Sequence, residues 1–316
     1  MKPPWIDRDR QLVCVAQRRA PRSLVVAHAF VSGAETSESE RLLTVGGTAR
    51  DDNGWGASGL TLNATGMNFI TVTAQRDAKK EFTDAHIPGA QFFDIDELSD
   101  TASSLPHMLP SPEKFASRMR RMGIGDGKRV IAYDTVGLFS AARAWWMFKV
   151  FGHDDVAILD GGLKKWLAEA RATEDGPALP RQERHFTARF KGSMVKDMKE
   201  VAAALKSGTA QVADARSGTR FRGEEVEPRP GVRAGHMPGA NNVHYASLIN
   251  PDGTFKSPAE IEATFRASGV DLAKPVITSC GSGITAAILS LGLTLIGAKD
   301  HALYDGSWTE WGGTEG

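Results

Sequence analysis

Val276-Ile-Thr-Ser-Cys280-Gly-Ser-Gly-Ile-Thr285-Ala-Ala-Ile-Leu289 reads as a short apolar strand, a glycine-rich loop and the first turns of an apolar helix. With no charge anywhere in it, the stretch describes a strand buried on both faces that turns at once into a buried helix. A parallel α/β sheet is the architecture that hides both. Cys280 stands where the strand ends and just ahead of the helix N-terminus. Unpaired N–H groups and the positive end of the helix dipole favour negative charge on its sulfur there. Gly281 and Gly283 let the loop curl into an anion nest around it. The stretch therefore predicts a cysteine nucleophile.

Working outward, the same phrases recur about 145 to 150 residues apart. Ala85-His-Ile-Pro-Gly-Ala90 returns as Gly235-His-Met-Pro-Gly-Ala240. Ser111-Pro-Glu and Ser257-Pro-Ala each open a helical pattern, with Ser at the N-cap and Pro in the first turn, and the patterns run to Gly123 and Gly269. Val130-Ile-Ala-Tyr-Asp134 answers Val276-Ile-Thr-Ser-Cys280, and apolar helices follow over Ser140 to Phe151 and Thr285 to Ile296. Short strands ending in Asp-Gly come next, Val156 to Gly161 and Ala302 to Gly306, and Trp166 answers Trp311. The fold class is thus α/β, a tandem duplication of one small domain, each a parallel sheet flanked by helices. The boundaries read as a poorly ordered extension over 1–55, a first domain over 56–170, a linker over 171–195 and a second domain over 196–316, with Lys196 to Ser207 its first helix and Gln211 to Arg216 its first strand.

At 316 residues, 41% hydrophobic and 24% charged, the chain suits two domains with cores of their own. Lys plus Arg and Asp plus Glu each number 38, so no basic field exists to hold nucleic acid. Two dissimilar cysteines, Cys14 and Cys280, make neither a disulfide scaffold nor a cysteine zinc site and point to a reducing, cytoplasmic setting. No apolar run reaches the roughly 18 to 20 residues of a membrane span, and no secretion signal opens the chain. His86 and His236, one per repeat, are read as holding the same turn twice through local backbone, and no metal site is expected. Trp145, Trp146, Trp166, Trp308 and Trp311 are assigned to core.

Duplication and cysteine loop together resemble the two-domain rhodanese-like sulfurtransferases over roughly Leu60 to Gly312, and within them the branch that uses 3-mercaptopyruvate. The marks are Cys280-Gly-Ser-Gly-Ile-Thr285, Phe221-Arg-Gly-Glu-Glu-Val-Glu-Pro-Arg229, Phe92-Phe-Asp-Ile-Asp96, His107-Met-Leu-Pro110 and Tyr304-Asp-Gly-Ser-Trp308-Thr-Glu-Trp311. The resemblance implies that Cys280 takes sulfur from a small-molecule donor as a persulfide, releases pyruvate and passes the sulfur to thioredoxin, a small thiol or cyanide, with no cofactor. It implies Arg220 and Arg229 as substrate-binding cations, which suit a carboxylate, with Gly281, Gly283, Ile284 and Thr285 around the substrate. It also implies a proton-shuttling constellation of Ser282, His107 and Asp96. With His107 counted in the first domain, that constellation places the site between the domains. Asp134 at the cysteine position of the first repeat leaves one active site per chain.

Three rivals stand beside this reading. A thiosulfate sulfurtransferase shares fold and persulfide, but its small dianionic donor is served by basic residues in the loop, where Gly281, Ser282 and Gly283 are neutral here. A phosphatase of the Cys-x5-Arg type needs an arginine where this chain has Ala286. The third is an impaired protein: the first strand of the resembled family carries an acid and a tryptophan, and Leu62-Asn63-Ala-Thr65-Gly66 lacks both. A lost buried tryptophan costs ~3–5 kcal/mol, a large part of the ~5–15 kcal/mol that holds a domain folded.

Overall fold

The computed structural model describes residues 11–15, 42–43, 59–64, 77–135 and 137–313. The chain divides into two compact units. The first comprises Met1–Leu98, Ser111–Arg189 and Asp252–Thr254, the second Ser99–Pro110, Phe190–Pro251 and Phe255–Gly316.

In the first unit the strands are β1 (Gln11–Val15), β2 (Leu42–Leu43), β3 (Gly59–Ala64), β4 (Gln91–Phe92), β5 (Arg129–Tyr133) and β6 (Val156–Leu159), ordered β1-β3-β5-β6-β2 with β4 also on β3. All pairs are parallel except β2 on β6. The second unit has β7 (Val195–Lys196), β8 (Gln211–Asp214), β9 (Asn241–Asn242), β10 (Val276–Ser279) and β11 (His301–Tyr304), all parallel, in the order β7-β11-β10-β8-β9. Both central strands, β5 and β10, feed a helix through a loop: Ala141–Val150 after β5 and Ala286–Leu295 after β10. These helices are apolar on nearly every face, the first but for Arg143 and Lys149 and the second without any charge, so they are buried nearly whole.

Local signals hold where they were read. Ser111 and Ser257 cap helices Pro112–Arg121 and Pro258–Ala267 through their side chains, the second with a full capping box to Glu260. The first core joins Phe82, Ile131, Tyr133, Leu159 and Trp166, and the second joins Val201, Val212, Met237, Ile277 and Trp308. Trp145 and Trp146 are buried as expected, while Trp311 is half-buried.

Three segments depart from the sequence reading. Within the expected extension, β1 and β2 pair into the first sheet, because short apolar runs find a strand edge without any longer periodicity; the rest of 1–55 lies outside the described residues. The expected linker does not run free of the first unit up to Arg189: Phe186 is fully buried among Phe115, Phe148 and His153, Arg189 N–H donates to Phe151, and Glu174 bridges to His86. One buried aromatic outweighs the polar composition around it. Ser99–Pro110 belongs to the second unit rather than to the first. It carries no helix or strand, so its backbone groups need partners elsewhere, and Leu109 N–H finds Asp305 Oδ2 at 2.7 Å. β3 forms with Asn63 opposite Phe92, and Thr65 and Gly66 lie outside the described residues.

Candidate active site

Cys280 follows the last residue of β10 and is 2% exposed. The peptides after it are oriented from one side. The Cys280 carbonyl accepts Trp308 N–H at 2.9 Å, and the Gly281 carbonyl accepts Thr309 N–H at 2.9 Å and Thr309 Oγ1 at 2.5 Å. A trans peptide sets its N–H opposite its C=O, so the N–H groups of Gly281 and Ser282 face away from helix Ser307–Trp311. Among the described residues, no protein group accepts the N–H of Gly281, Ile284, Thr285 or Ala286. Thr285, the N-cap of the following helix, makes no side-chain cap. A set of uncommitted donors at a helix start beside a cysteine can bind an anion.

Ser282 is buried and its Oγ lies 3.0 Å from His107 Nδ1. His107 is itself buried, in the left-handed conformation at φ 61°. The Leu109–Asp305 hydrogen bond two residues on ties its segment to the end of β11. The structure thus brings Ser282 and His107 together within one unit. Asp96 lies in the other, half-buried on helix Ile95–Leu98.

Arg220, on the short helix Gly218–Arg222, forks onto Glu227 with Nε–Oε1 at 3.3 Å and Nη2–Oε2 at 2.5 Å. Its Nη1 has no protein partner among the described residues. The guanidinium sits against the cysteine loop: a Cβ at position 281 would lie 3.2 Å from Arg220 Nη2, so glycine is what lets the cation approach. Arg229 reaches Thr309 Oγ1 with Nη1 at 3.4 Å. Gly283, at φ 79°, makes the turn that Gly281 begins, and Ile284 and Thr285 carry the loop into the helix.

Behind Arg220 lies a network centred on Arg216, which sequence reasoning missed. Buried Arg216 binds Asp214 with both Nε and Nη2, Glu227 Oε1 with Nη1 at 2.8 Å, and the Gly235 carbonyl, and its guanidinium stacks 4.6 Å from the Trp308 ring. Burial alone pushes the Arg216 guanidinium down; the carboxylates of Asp214 and Glu227 outweigh it and hold the group above the ordinary arginine value. Glu227 therefore serves two arginines at once. Its signal was in the quoted Phe221–Arg229 phrase, where Glu224, Glu225 and Glu227 all look alike until burial separates them: the first two are exposed, the third is not.

His86 and His236 repeat one arrangement, with local backbone for His86 but a carbonyl fifteen residues back for His236. Each stacks on a phenylalanine at 3.9 Å, Phe82 and Phe221, and each Nδ1 bonds that residue's carbonyl at 2.8 and 2.7 Å. Among the described residues no helix is long and apolar enough to cross a membrane.

Known proteins resemble the chain across both repeats. A rhodanese-like domain matches residues 75–169 and again 197–314, so β1 to β3 precede the matched residues. The chain is 47% identical to the 3-mercaptopyruvate sulfurtransferase of Escherichia coli (strain K12) over 237 residues, covering 75% of this chain and 84% of that one. It is 44% identical to the human 3-mercaptopyruvate sulfurtransferase over 238 residues, covering 75% and 80%. The crystal structure of SseA from Escherichia coli, a 3-mercaptopyruvate sulfotransferase of the rhodanese fold, superposes with a TM-score of 0.68 at 44% identity, covering 74% of this chain and 87% of that one.

Proposed function

The chain belongs to the rhodanese-like sulfurtransferases, and from that premise we propose that Cys280 carries the sulfur of 3-mercaptopyruvate as a persulfide and hands it to an acceptor thiol or to cyanide. The enzyme is a sulfurtransferase acting on a small-molecule donor. The observation that carries the reading is the cysteine loop itself, a buried thiol beside uncommitted N–H donors with Arg220 against Gly281.

Cys280 thiolate attacks the sulfur of the donor. An S–S bond forms, the C–S bond breaks, and its electron pair leaves on carbon as the enolate of pyruvate. The enolate takes one proton at carbon, and the sulfane sulfur stays on the enzyme. Splitting the transfer into two displacements is the gain of covalent catalysis. Loop N–H groups stabilise the anionic sulfur in both halves of the cycle. Arg220 and Arg229 hold the carboxylate and the keto oxygen, with Gly281, Gly283, Ile284 and Thr285 forming the wall of the subsite. The Ser282–His107 pair, at 3.0 Å, supplies and recovers the proton. In the second half an acceptor thiolate, thioredoxin or a small thiol in the cytoplasm, attacks the outer sulfur and restores Cys280.

The test is pyruvate release from 3-mercaptopyruvate by the full chain, run beside sulfur transfer from thiosulfate to cyanide. A preference for mercaptopyruvate, lost in Cys280→Ser, is the expected result. Pyruvate release at the parental rate by Cys280→Ser overturns the mechanism, and a preference for thiosulfate overturns the substrate.

A further inference from the structure

Ser307 is fully buried and holds φ 51°, a left-handed conformation that costs a side chain of this kind. The first repeat has Gly162 at the corresponding place, at φ 52°, after the same Asp-Gly phrase. There a Cβ would lie 2.0 Å from the Asp134 carbonyl, and glycine avoids the clash. In both repeats the next residue donates its N–H to the carbonyl of the loop residue, Leu163 to Asp134 and Trp308 to Cys280, each at 2.9 Å. The backbone device is shared; the serine is not.

The serine hydroxyl has a specific use. Ser307 Oγ accepts the N–H of Cys280 at 3.2 Å and donates to the Tyr304 carbonyl at 2.8 Å. Two residues on, Thr309 stands where the first repeat has Lys164. Its Oγ1 donates to the Gly281 carbonyl at 2.5 Å and faces Arg229 Nη1 at 3.4 Å. Between them the two hydroxyls grip the peptide that enters Cys280 and the peptide that leaves Gly281, and one ties the loop to a substrate arginine. The repeat without a cysteine has neither hydroxyl.

We propose that Ser307 and Thr309 are positioning residues for sulfur transfer: Ser307 sets the Cys280 backbone, and Thr309 couples the placement of Arg229 to the orientation of the loop donors. Neither touches the reacting sulfur. The proposal rests on Cys280 and Arg229 acting as described above. A hydrogen bond from Arg229 polarises the Thr309 hydroxyl and strengthens its bond to Gly281, so the two contacts reinforce each other.

Thr309→Val keeps the shape and removes the hydroxyl; Thr309→Ser keeps the hydroxyl. The expected result is that Thr309→Val raises KM for mercaptopyruvate and lowers kcat/KM by about tenfold or more, the effect of one lost hydrogen bond to a charged group. Its Tm stays near the parent's, and Thr309→Ser restores the greater part of the loss. Ser307→Gly, the residue of the sister repeat, is expected to keep or raise Tm while slowing both kcat and the alkylation of Cys280 by iodoacetamide. Alkylation needs no sulfur donor, so it reads the clamp even if the substrate assignment fails. Parental kinetics in Thr309→Val, or equal losses in the Val and Ser variants, overturn the role of Thr309. Parental alkylation and turnover in Ser307→Gly overturn that of Ser307, and should Thr309→Val not fold, this variant decides.

Discussion

Two loops at the ends of two matching strands solve the same electrostatic problem in opposite ways. After β5, the Asp134 carboxylate folds back into its own loop, where Oδ2 accepts the N–H groups of Phe139, Ser140 (2.7 Å) and Ala141 (3.1 Å). After β10, Cys280 has no such arm, and the N–H groups of Ile284, Thr285 and Ala286 find no protein acceptor among the described residues. The first nest has its donors taken by an oxygen of its own chain and is finished as structure. The second leaves its donors for a charge that arrives or develops during reaction. The difference extends to the flanks. Next to the stacked phenylalanine of the first repeat stands Glu81, and next to its counterpart Phe221 stands Arg220. The stacked histidine follows four residues after Phe82 but fifteen after Phe221, and the added residues bring Glu227 and Arg229. Catalysis here is a set of additions to a duplicated frame.

The strongest way to break the comparison is to exchange the loop residues. Cys280→Asp should lower turnover on the order of 10^4-fold or more, as loss of a covalent nucleophile does. The double variant Cys280→Ser with Asp134→Cys should stay inactive, because the first repeat has no counterpart of Arg220 or Arg229, its Phe82 being preceded by Glu81. Pyruvate formation by that double variant would show that the nest alone suffices. Next in size, Arg229→Ala should reduce kcat/KM for mercaptopyruvate by about 10- to 100-fold, equivalent to the ~1.5–3 kcal/mol of a charge-assisted hydrogen bond. A deficit confined to thiosulfate would remove Arg229 from the mercaptopyruvate site.

Asp134→Ala addresses the structural side of the same contrast. It strips three buried N–H groups of their shared acceptor, and each unsatisfied buried donor costs ~1–3 kcal/mol. The first unit should lose about 3 kcal/mol or more in urea unfolding, whereas Cys280→Ala, which removes no acceptor from its loop, should cost clearly less. Equal losses would mean that the Asp134 carboxylate is not what finishes the first nest.

Repetition made most of this legible before any coordinates. Periodic phrases placed the central strands, the Ser-Pro helix starts and the buried helices, because each depends on local capping and hydrophobic pattern. The cysteine loop was legible for the same reason. What escaped is long-range. Phe186 docks against residues more than thirty positions away, inside a segment whose composition reads as linker. Ser99–Pro110 has no periodic signal, and it joins the second unit through long-range contacts such as Leu109–Asp305 and His107–Ser282. Glu227, Ser307 and Thr309 are polar residues whose roles are set by burial and by partners as far as 80 residues away, which no local pattern encodes.

A smaller effect again sets the units apart through two buried histidines. Burial lowers the pKa of His153 in the first unit, against the opposing pull of a Lys128 backbone hydrogen bond and of Asp155 and Asp126; it lowers that of His301 in the second, against Asp300. A histidine with a folded pKa below its ordinary 6.5 takes its proton first in the unfolded chain. Stability should therefore be full above about pH 6.5 and fall as pH drops from there toward each folded pKa. His153 packs between Phe148 and Phe186, at ring distances of 5.4 and 5.7 Å, so His153→Phe keeps an aromatic ring there and removes the titration. In that variant the unfolding midpoint of the first unit should depend less on pH between 7 and 5.5, with the second unit's dependence unchanged. A pH slope unaltered in the first unit would show that its acid sensitivity arises from carboxylates instead.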